Sequence, residues 1–338
     1  MCAGSWGPRP TPVQWCRHIL SCPLPVQALH RILTALLALL LLGSALALAA
    51  PLGWPFELFS HFRAQYAAAG VVLAVLLAWR RRSAPAVLAL AIGLWHAAPG
   101  IRSAVAASDA PACDGPAFTV VTANLQYSNL DHEALLGWLA TRPADLVLLQ
   151  EVTEEWAEAI EARSGYAHRL LSPRADPYGI GVLSRWPLEP VGLLDLANDG
   201  LPSIAGTVSV DGQRIRFLGL HTRWPVVAEL AELRDLALVR AAAIARAGAD
   251  PVVLGGDLNL TPYAPAYGRL LAESGLVDVM QGRGWQPTWN AGFWPLALRI
   301  DHLLVSPGIC VEHAEVGPTI GSDHRPVIAR LRLPKPSG

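Results

Sequence analysis

Six polar islands interrupt the apolar runs of this 338-residue chain. They read TANLQ around Asn124, LLQEV at Glu151, GLHTRWP at His221, GGDLNLTP at Asp257 and Asn259, RIDHLLVS at Asp301, and SDHRPV at Asp323 and His324. Carboxylates, amides and imidazoles of this kind can cage a hard cation beside a phosphate ester. Glu151 follows DLVLLQ, so its carboxylate sits where an apolar strand emerges, and burial there demands a cation or hydrogen bonds. The helix start that follows, TEEWAEA, offers Glu151 a plainer place beside an N-cap. Asp257 and Asn259 are two residues apart, on one side of a strand if the strand continues that far. Asp257 can orient and deprotonate a water, and Asn259 can donate to a phosphate oxygen where charge builds up. Gly255 and Gly256 leave room for substrate or metal to approach. Asp301 behind His324 would fix the tautomer of the imidazole and raise its basicity, with Asp323 facing a metal. His221 is a second imidazole suited to a transferring phosphate. Asn124 taken alone reads first as a turn former.

Islands this far apart meet only if the segments that carry them are strands side by side in one structure. The segments have that character. FTVVTANLQ, DLVLLQEV, GIGVLSRWP and DPVVLGGDLN are apolar strand runs, and most of them end in polar residues. TVSVDGQRIRFLGLHT holds an Asp-Gly hairpin signal between two strands. His132–Leu139, EEWAEAIEAR and Val226–Ala247 read as helices. RIDHLLVS and HRPVIARLRL are expected as the last two strands, with His302 facing away from Asp301. Hairpins mixed with helical crossovers point to mixed sheets covered by helices. Arg223 is either a phosphate clamp or a solvated charge. Trp224, Trp285, Trp289 and Trp294 crowd two loops near the islands. They can line a substrate groove, lie at a membrane interface, or pack on their own aromatic core.

Composition divides the chain. Residues 1–102 hold eight Arg, no Lys and a single acidic residue, Glu57. Residues 103–338 hold 18 basic and 26 acidic residues, a net charge of −8. Three apolar stretches fill the front: Ile32–Ala50, Tyr66–Trp79 (extended back into Phe56–Phe62 if it is to span) and Ala84–Ile101. A bilayer takes roughly 20 apolar residues, so residues 1–102 are expected to be a membrane anchor of three transmembrane helices. The first run exceeds a signal-peptide core of about 7–15 residues. Arg9, Arg17 and Arg31 precede it, and Arg80-Arg81-Arg82 separates the second and third, which places both groups in the cytoplasm. Three crossings then put everything after Ile101 outside, making a multi-pass cell-membrane protein with an extracytoplasmic domain. If the second span fails, the domain stays inside. Residues 103–116 read as a linker and 117–338 as the catalytic domain. Cys113 and Cys310 can pair outside the cytoplasm, although two unrelated thiols is the simpler reading.

The ordered set N…QE…H…GDxN…D…SDH, with RIDHLLVS and SDHRPV, resembles the endonuclease/exonuclease/phosphatase superfamily, the DNase I-like fold, over roughly Phe118–Leu333. The resemblance implies an α/β four-layer sandwich (α+β type) with two central mixed β-sheets flanked by helices. It implies that Glu151, supported by Asn124, binds Mg²⁺ or Mn²⁺ with Asp323 close to the metal. It also implies that Asp257 and Asn259 handle nucleophile and phosphate, and that His324 with Asp301, together with His221, acts on the scissile phosphate. The front is similar to a membrane-anchored bacterial branch that includes the teicoplanin-resistance type, proposed to act on lipid-linked cell-wall intermediates. Fold does not choose the substrate. A DNA binder shows a basic face, whereas here the only Lys is Lys335 and the domain is acidic. The expected partner is therefore a phosphate ester, lipid-linked or small, with nucleic acid disfavoured. A membrane-tethered nuclease and a catalytically silent binding domain are the rival readings.

Overall fold

Residues 26–106, 113–290 and 292–335 are described by the computed structural model. Arg9, Arg17, Cys2, Cys16, Cys22 and residues 107–112 of the expected linker lie outside them. The front forms α1 (Val26–Leu48), a 3-10 turn (Ala50–Leu52), α2 (Phe56–Ser60), α3 (Arg63–Trp79) and α4 (Ser83–Ala106). Among the described residues, two helices are long and apolar enough to cross a membrane, Gln27–Leu48 and Ser83–Arg102. This corrects the expectation of three. The middle helix is 17 residues, because Phe56–Phe62 does not extend it backwards. Polar contacts take that segment elsewhere: the Glu57 carboxylate meets the Arg234 guanidinium at 2.7 Å, with both side chains buried. Gly70 of α3 rests on α4; a Cβ there would lie 2.7 Å from Gly93 Cα, so the small residues let the two backbones touch.

The apolar runs that follow become β1 (Ala117–Asn124), α5 (His132–Thr141), β2 (Leu146–Gln150), α6 (Glu154–Arg163), β3 (His168–Ser172), β4 (Ile180–Ser184), β5 (Val191–Asp195), β6 (Pro202–Val210) and β7 (Gln213–His221). Then come α7 (Ala228–Arg246), β8 (Val252–Asp257), α8 (Pro265–Ser274), β9 (Val277–Asp278), β10 (Asp301–Val305), β11 (Cys310–Val316) and β12 (Val327–Arg332). The hairpin signal holds: Asp211 and Gly212 take φ +49° and +84° between β6 and β7, as a two-residue turn of type I′ requires. β10 and β12 are not consecutive, as the sequence had suggested. β11 lies between them, and its alternation is obscured by Glu312 and His313, which stay exposed beside a register shift.

One sheet has the order β11-β12-β1-β2-β4-β3 and the other β5-β6-β7-β8-β10-β9. Each contains one parallel pair, β1–β2 and β7–β8, among antiparallel neighbours. The sheets pack face to face through Val120, Leu148, Ile204, Phe217, Val253, Leu303 and Val327. Leu135, Trp156 and Ile160 pack α5 and α6 on the outside of the first sheet. Leu238, Ala241, Tyr267 and Leu270 do the same for α7 and α8 on the second. The result is a four-layer α/β sandwich with two mixed sheets at its centre.

Cys113 and Cys310 form a disulfide across a sequence separation of 197. The sequence had favoured unrelated thiols; β11 brings their Cα atoms to 6.0 Å.

Candidate active site

Two parallel pairs point the same way, and this topology gathers the islands. β1 and β2 end side by side at Asn124 and Gln150, one residue before Glu151. β7 and β8 end side by side at His221 and Asp257, and the antiparallel β10 starts opposite at Asp301. His324 lies just before the antiparallel β12. Four strand ends and two strand starts thus meet at one edge of the sandwich.

Asn124, buried at the end of β1, donates from Nδ2 to Glu151 Oε1 (2.9 Å) and to Asp257 Oδ2 (3.1 Å). Its side-chain Oδ1 accepts from the Gln126 N–H at 2.9 Å. Glu151 adopts φ +59°, an uncommon conformation for a non-glycine residue, and its Oε2 accepts from the Tyr127 N–H at 2.8 Å. Asp257 sits centrally, its Oδ2 3.6 Å from His221 Nε2 and 3.8 Å from His324 Nε2. His324 Nδ1 is 2.8 Å from Asp301 Oδ2. Asp257, Asp301 and His324 are all buried and can each offer one ligand atom within 4.8 Å of the others. Asp323 is exposed at the rim and accepts from the Trp289 indole N–H at 3.0 Å.

Asn259 is not on the strand. β8 stops at Asp257, whose Oδ1 accepts the Asn259 N–H at 2.9 Å, so Asn259 turns to φ +49° and donates to the Thr222 carbonyl at 2.9 Å. The glycines before it serve packing rather than ligand approach. A Cβ on Gly255 would strike Leu303 and Leu148, and on Gly256, at φ +152°, it would lie 1.8 Å from the Leu220 carbonyl oxygen. Arg223 is bound to Asp199 at 2.7 Å and stacks over the Tyr178 ring. His302 faces away, its Nε2 2.9 Å from the Leu260 carbonyl oxygen.

The charges are unbalanced in a way that suits a cation. Burial pushes the Asp257 carboxyl up, and the Asp301 charge adds to it, to about 7. Burial also raises Glu151 against the two hydrogen bonds it accepts. Burial alone would deprotonate His324, but Asp301, by charge and hydrogen bond, with Asp257 and Asp323 behind it, lifts it to about 10. His221, equally enclosed, is driven down to about 3 by burial and by the nearby His324. A carboxylate-rich pocket with one imidazolium is a hard-oxygen donor set, which fits a divalent cation of the Mg²⁺ or Mn²⁺ type.

Three contributors carried no readable signal in sequence. Thr288 Oγ1 accepts the Ile300 and Asp301 N–H groups at 3.1 Å and fixes the start of β10. Tyr178 packs against the His221 ring at 5.1 Å. His61, from the front of the chain, puts Nδ1 3.0 Å from Thr261 Oγ1, two residues beyond Asn259. Each meets a partner that proximity in space, not in sequence, supplies.

Residues 121–324 match the model of the Endonuclease/Exonuclease/phosphatase family. Solved structures with this fold include the endonuclease/exonuclease/phosphatase from Beutenbergia cavernae (23% identity, 64% of this chain and 72% of that one, TM-score 0.53). A family protein from Bacteroides thetaiotaomicron matches at 19% identity over 65% of this chain and 96% of that one, TM-score 0.55. D. rerio TDP2 complexed with single strand DNA product matches at 17% identity over 64% and 99%, TM-score 0.54. At such identities the likeness is one of fold. No curated protein matches significantly.

Proposed function

The chain belongs to the endonuclease/exonuclease/phosphatase family and is a phosphoric ester hydrolase, and we propose that it is a membrane-anchored, divalent-metal-dependent phosphodiesterase or phosphatase. Its substrate is a lipid-linked or small phosphate ester on the extracytoplasmic side. The observation that carries the chemistry is the convergence of buried Asn124, Asp257, Asp301 and His324 with half-buried Glu151 in one cluster. Asp257, with its raised pKa, takes a proton from the attacking water. The water oxygen bonds to phosphorus as the opposite P–O ester bond breaks, and the departing oxygen takes a proton from His324. Asp301 keeps that imidazolium charged and aimed. Asn259 spends one amide hydrogen on Thr222 and offers the other to a phosphate oxygen. Neutral His221 donates without adding charge. Glu151 with Asn124, and Asp323 at the rim, would hold Mg²⁺ or Mn²⁺, which supplies charge neutralisation and an acidified water when bound.

Contacts between anchor and domain support the membrane arrangement. Both long helices deliver their C-terminal ends to the domain. After α1, Trp54 donates to the Pro225 carbonyl at 3.1 Å and Glu57 pairs with Arg234. Near the end of α4, Pro99 and Gly100 line a cavity of about 390 Å³ with Thr261 and Tyr263. Arg80–Arg82 immediately precedes α4, so with α4 across the bilayer and its C-terminal end at the domain, the triplet lies on the face opposite the domain. The positive-inside rule makes that face cytoplasmic. The Cys113–Cys310 disulfide favours the same side, since such bonds persist in oxidising compartments.

The test is full-length protein in nanodiscs, wild type and Asp257→Ala, with Mg²⁺ or EDTA, against lipid phosphates, soluble phosphodiesters and monoesters, and plasmid DNA. Activity on the phosphate esters, lost with EDTA and with the substitution, is expected. DNA cleaved far faster than every other substrate would make this a tethered nuclease. Activity unchanged in Asp257→Ala would remove Asp257 from the mechanism.

A further inference from the structure

Two loops form opposite rims of the catalytic edge. One follows His221, and its Thr222 carbonyl holds Asn259. The other runs into β10 and holds Asp323 through the Trp289 indole and the Asn290 N–H. Beyond those inward contacts, both rims turn large apolar side chains to the outside. Trp224 is 62% exposed, with Val226 and Val227 beside it, and Phe293 and Trp294 are each 55% exposed, with Leu296 beside them. Trp224–Ala228 and Phe293–Leu298 carry no charged residue. A water-facing loop that serves only to connect strands has no reason to be so apolar.

Both rims are tied to the helix ends. The Trp54 indole donates to the Pro225 carbonyl, six residues after α1 ends, and Gln65 in the first turn of α3 donates to the Ala297 carbonyl at 2.9 Å. Arg63 stacks over Trp95 of α4 at 4.6 Å, so an Arg–Trp pair marks the same level. Aromatic residues and Arg at the ends of spanning helices sit in the headgroup layer. The exposed rims therefore share their height with the interface.

We propose that Trp224 and the Phe293–Trp294 pair seat the catalytic edge on the headgroup layer of the bilayer that anchors the chain, so that the enzyme takes phosphate esters of membrane lipids from the bilayer rather than from solution. This rests on the membrane-anchored reading above and narrows its substrate to the lipid class. The rims enter the interface as amphipathic wedges while the polar floor between them receives the headgroup phosphate.

Two measurements test it, one free of catalysis. In nanodiscs of phosphatidylcholine and phosphatidylglycerol, the emission lost in Trp224→Phe/Trp294→Phe relative to wild type isolates these two indoles. Expected is a blue-shifted component quenched when the lipids carry bromine near the headgroup, and quenched equally in an Asp257→Asn background. A red-shifted, unquenched component overturns the proposal whether or not the protein hydrolyses anything. In the second arm, hexadecyl p-nitrophenyl phosphate embedded in the bilayer is compared with methyl p-nitrophenyl phosphate in solution. Trp224→Ser/Phe293→Ser/Trp294→Ser should lose at least ~10-fold in kcat/KM on the embedded ester, with the soluble ester changed less than ~2-fold. Equal loss on both, or loss on neither, overturns it. Absence of hydrolysis by wild type on either ester condemns the catalytic reading and leaves the quenching result to decide the docking.

Discussion

Replacing Asp301 by Asn keeps the shape of the site and removes the charge that holds His324 protonated. The bond in question, Nδ1 to Oδ2 at 2.8 Å, lies between two buried side chains. One pKa unit corresponds to about 1.4 kcal/mol. Lifting His324 from 6.5 to about 10 therefore represents roughly 5 kcal/mol in favour of the imidazolium, shared among Asp301, Asp257 and Asp323. Asp301 makes the hydrogen bond, and a hydrogen bond to a charged group is worth about 1.5–3 kcal/mol. If that energy is realised in transferring the proton to the leaving oxygen, Asp301→Asn lowers kcat by ~10–10²-fold with KM nearly unchanged. The pH profile gives a second signature. Wild-type activity falls on the alkaline side as His324 loses its proton near 10. In the variant the hydrogen bond to a charged carboxylate is gone while Asp257 and Asp323 remain, so the falling limb moves down by about 1–2 pH units. Steady-state rates on a soluble p-nitrophenyl phosphodiester, together with ¹⁵N shifts of the His324 ring, measure both. A variant that keeps the wild-type falling limb, with the His324 ring titrating as it does in wild type, would refute the assignment of Asp301 as the group that charges His324.

Further outcomes follow from single contacts. Glu57→Gln strips the fully enclosed Arg234 of a buried partner and should cost about 3–5 kcal/mol, read as a lowered melting temperature of the full chain in nanodiscs; an unchanged melting temperature would mean Asp235 alone suffices for Arg234. Gly256→Ala forces a Cβ to within 1.8 Å of a carbonyl oxygen at φ +152° and should leave little folded protein by thermal melting. Asp278 is buried, which would raise it, but the Arg299 guanidinium, by charge and hydrogen bonds, brings it to about 2 from 3.8. Its contribution, about 2 kcal/mol, is complete above pH 3.8. Below that the unfolded chain takes up a proton that the folded chain refuses, and the contribution is lost as pH falls through about 2. Acid unfolding of Asp278→Asn should therefore show a flatter slope across that window than wild type. Reduction of the Cys113–Cys310 bond should cost about 2–5 kcal/mol, measured by chemical denaturation with and without reductant.

The candidate site was legible in sequence because its residues are short-range signals: a carboxylate, an amide or an imidazole at the end of an apolar run is costly there without a partner. Asp257, Asp301 and His324 could be singled out in this way, and the strands that carry them could be read from their apolar runs. Edge strands such as β11, with Glu312 and His313 facing water, lack that alternation. Three things were decided only by tertiary structure. Parallel pairing of β1 with β2 and of β7 with β8 put four strand ends at one edge, a matter of which strands become neighbours, which no single segment specifies. The role of the Gly255–Gly256 pair turned from ligand room to backbone packing, because the atoms that crowd them come from Leu148, Leu220 and Leu303. The division of the front third between helix and docking segment depended on Arg234, some 180 residues away from Glu57 in the chain. Composition and hydrophobic period act within a few turns of chain, whereas the energy of a buried ion pair or a sheet register depends on groups that meet only after folding.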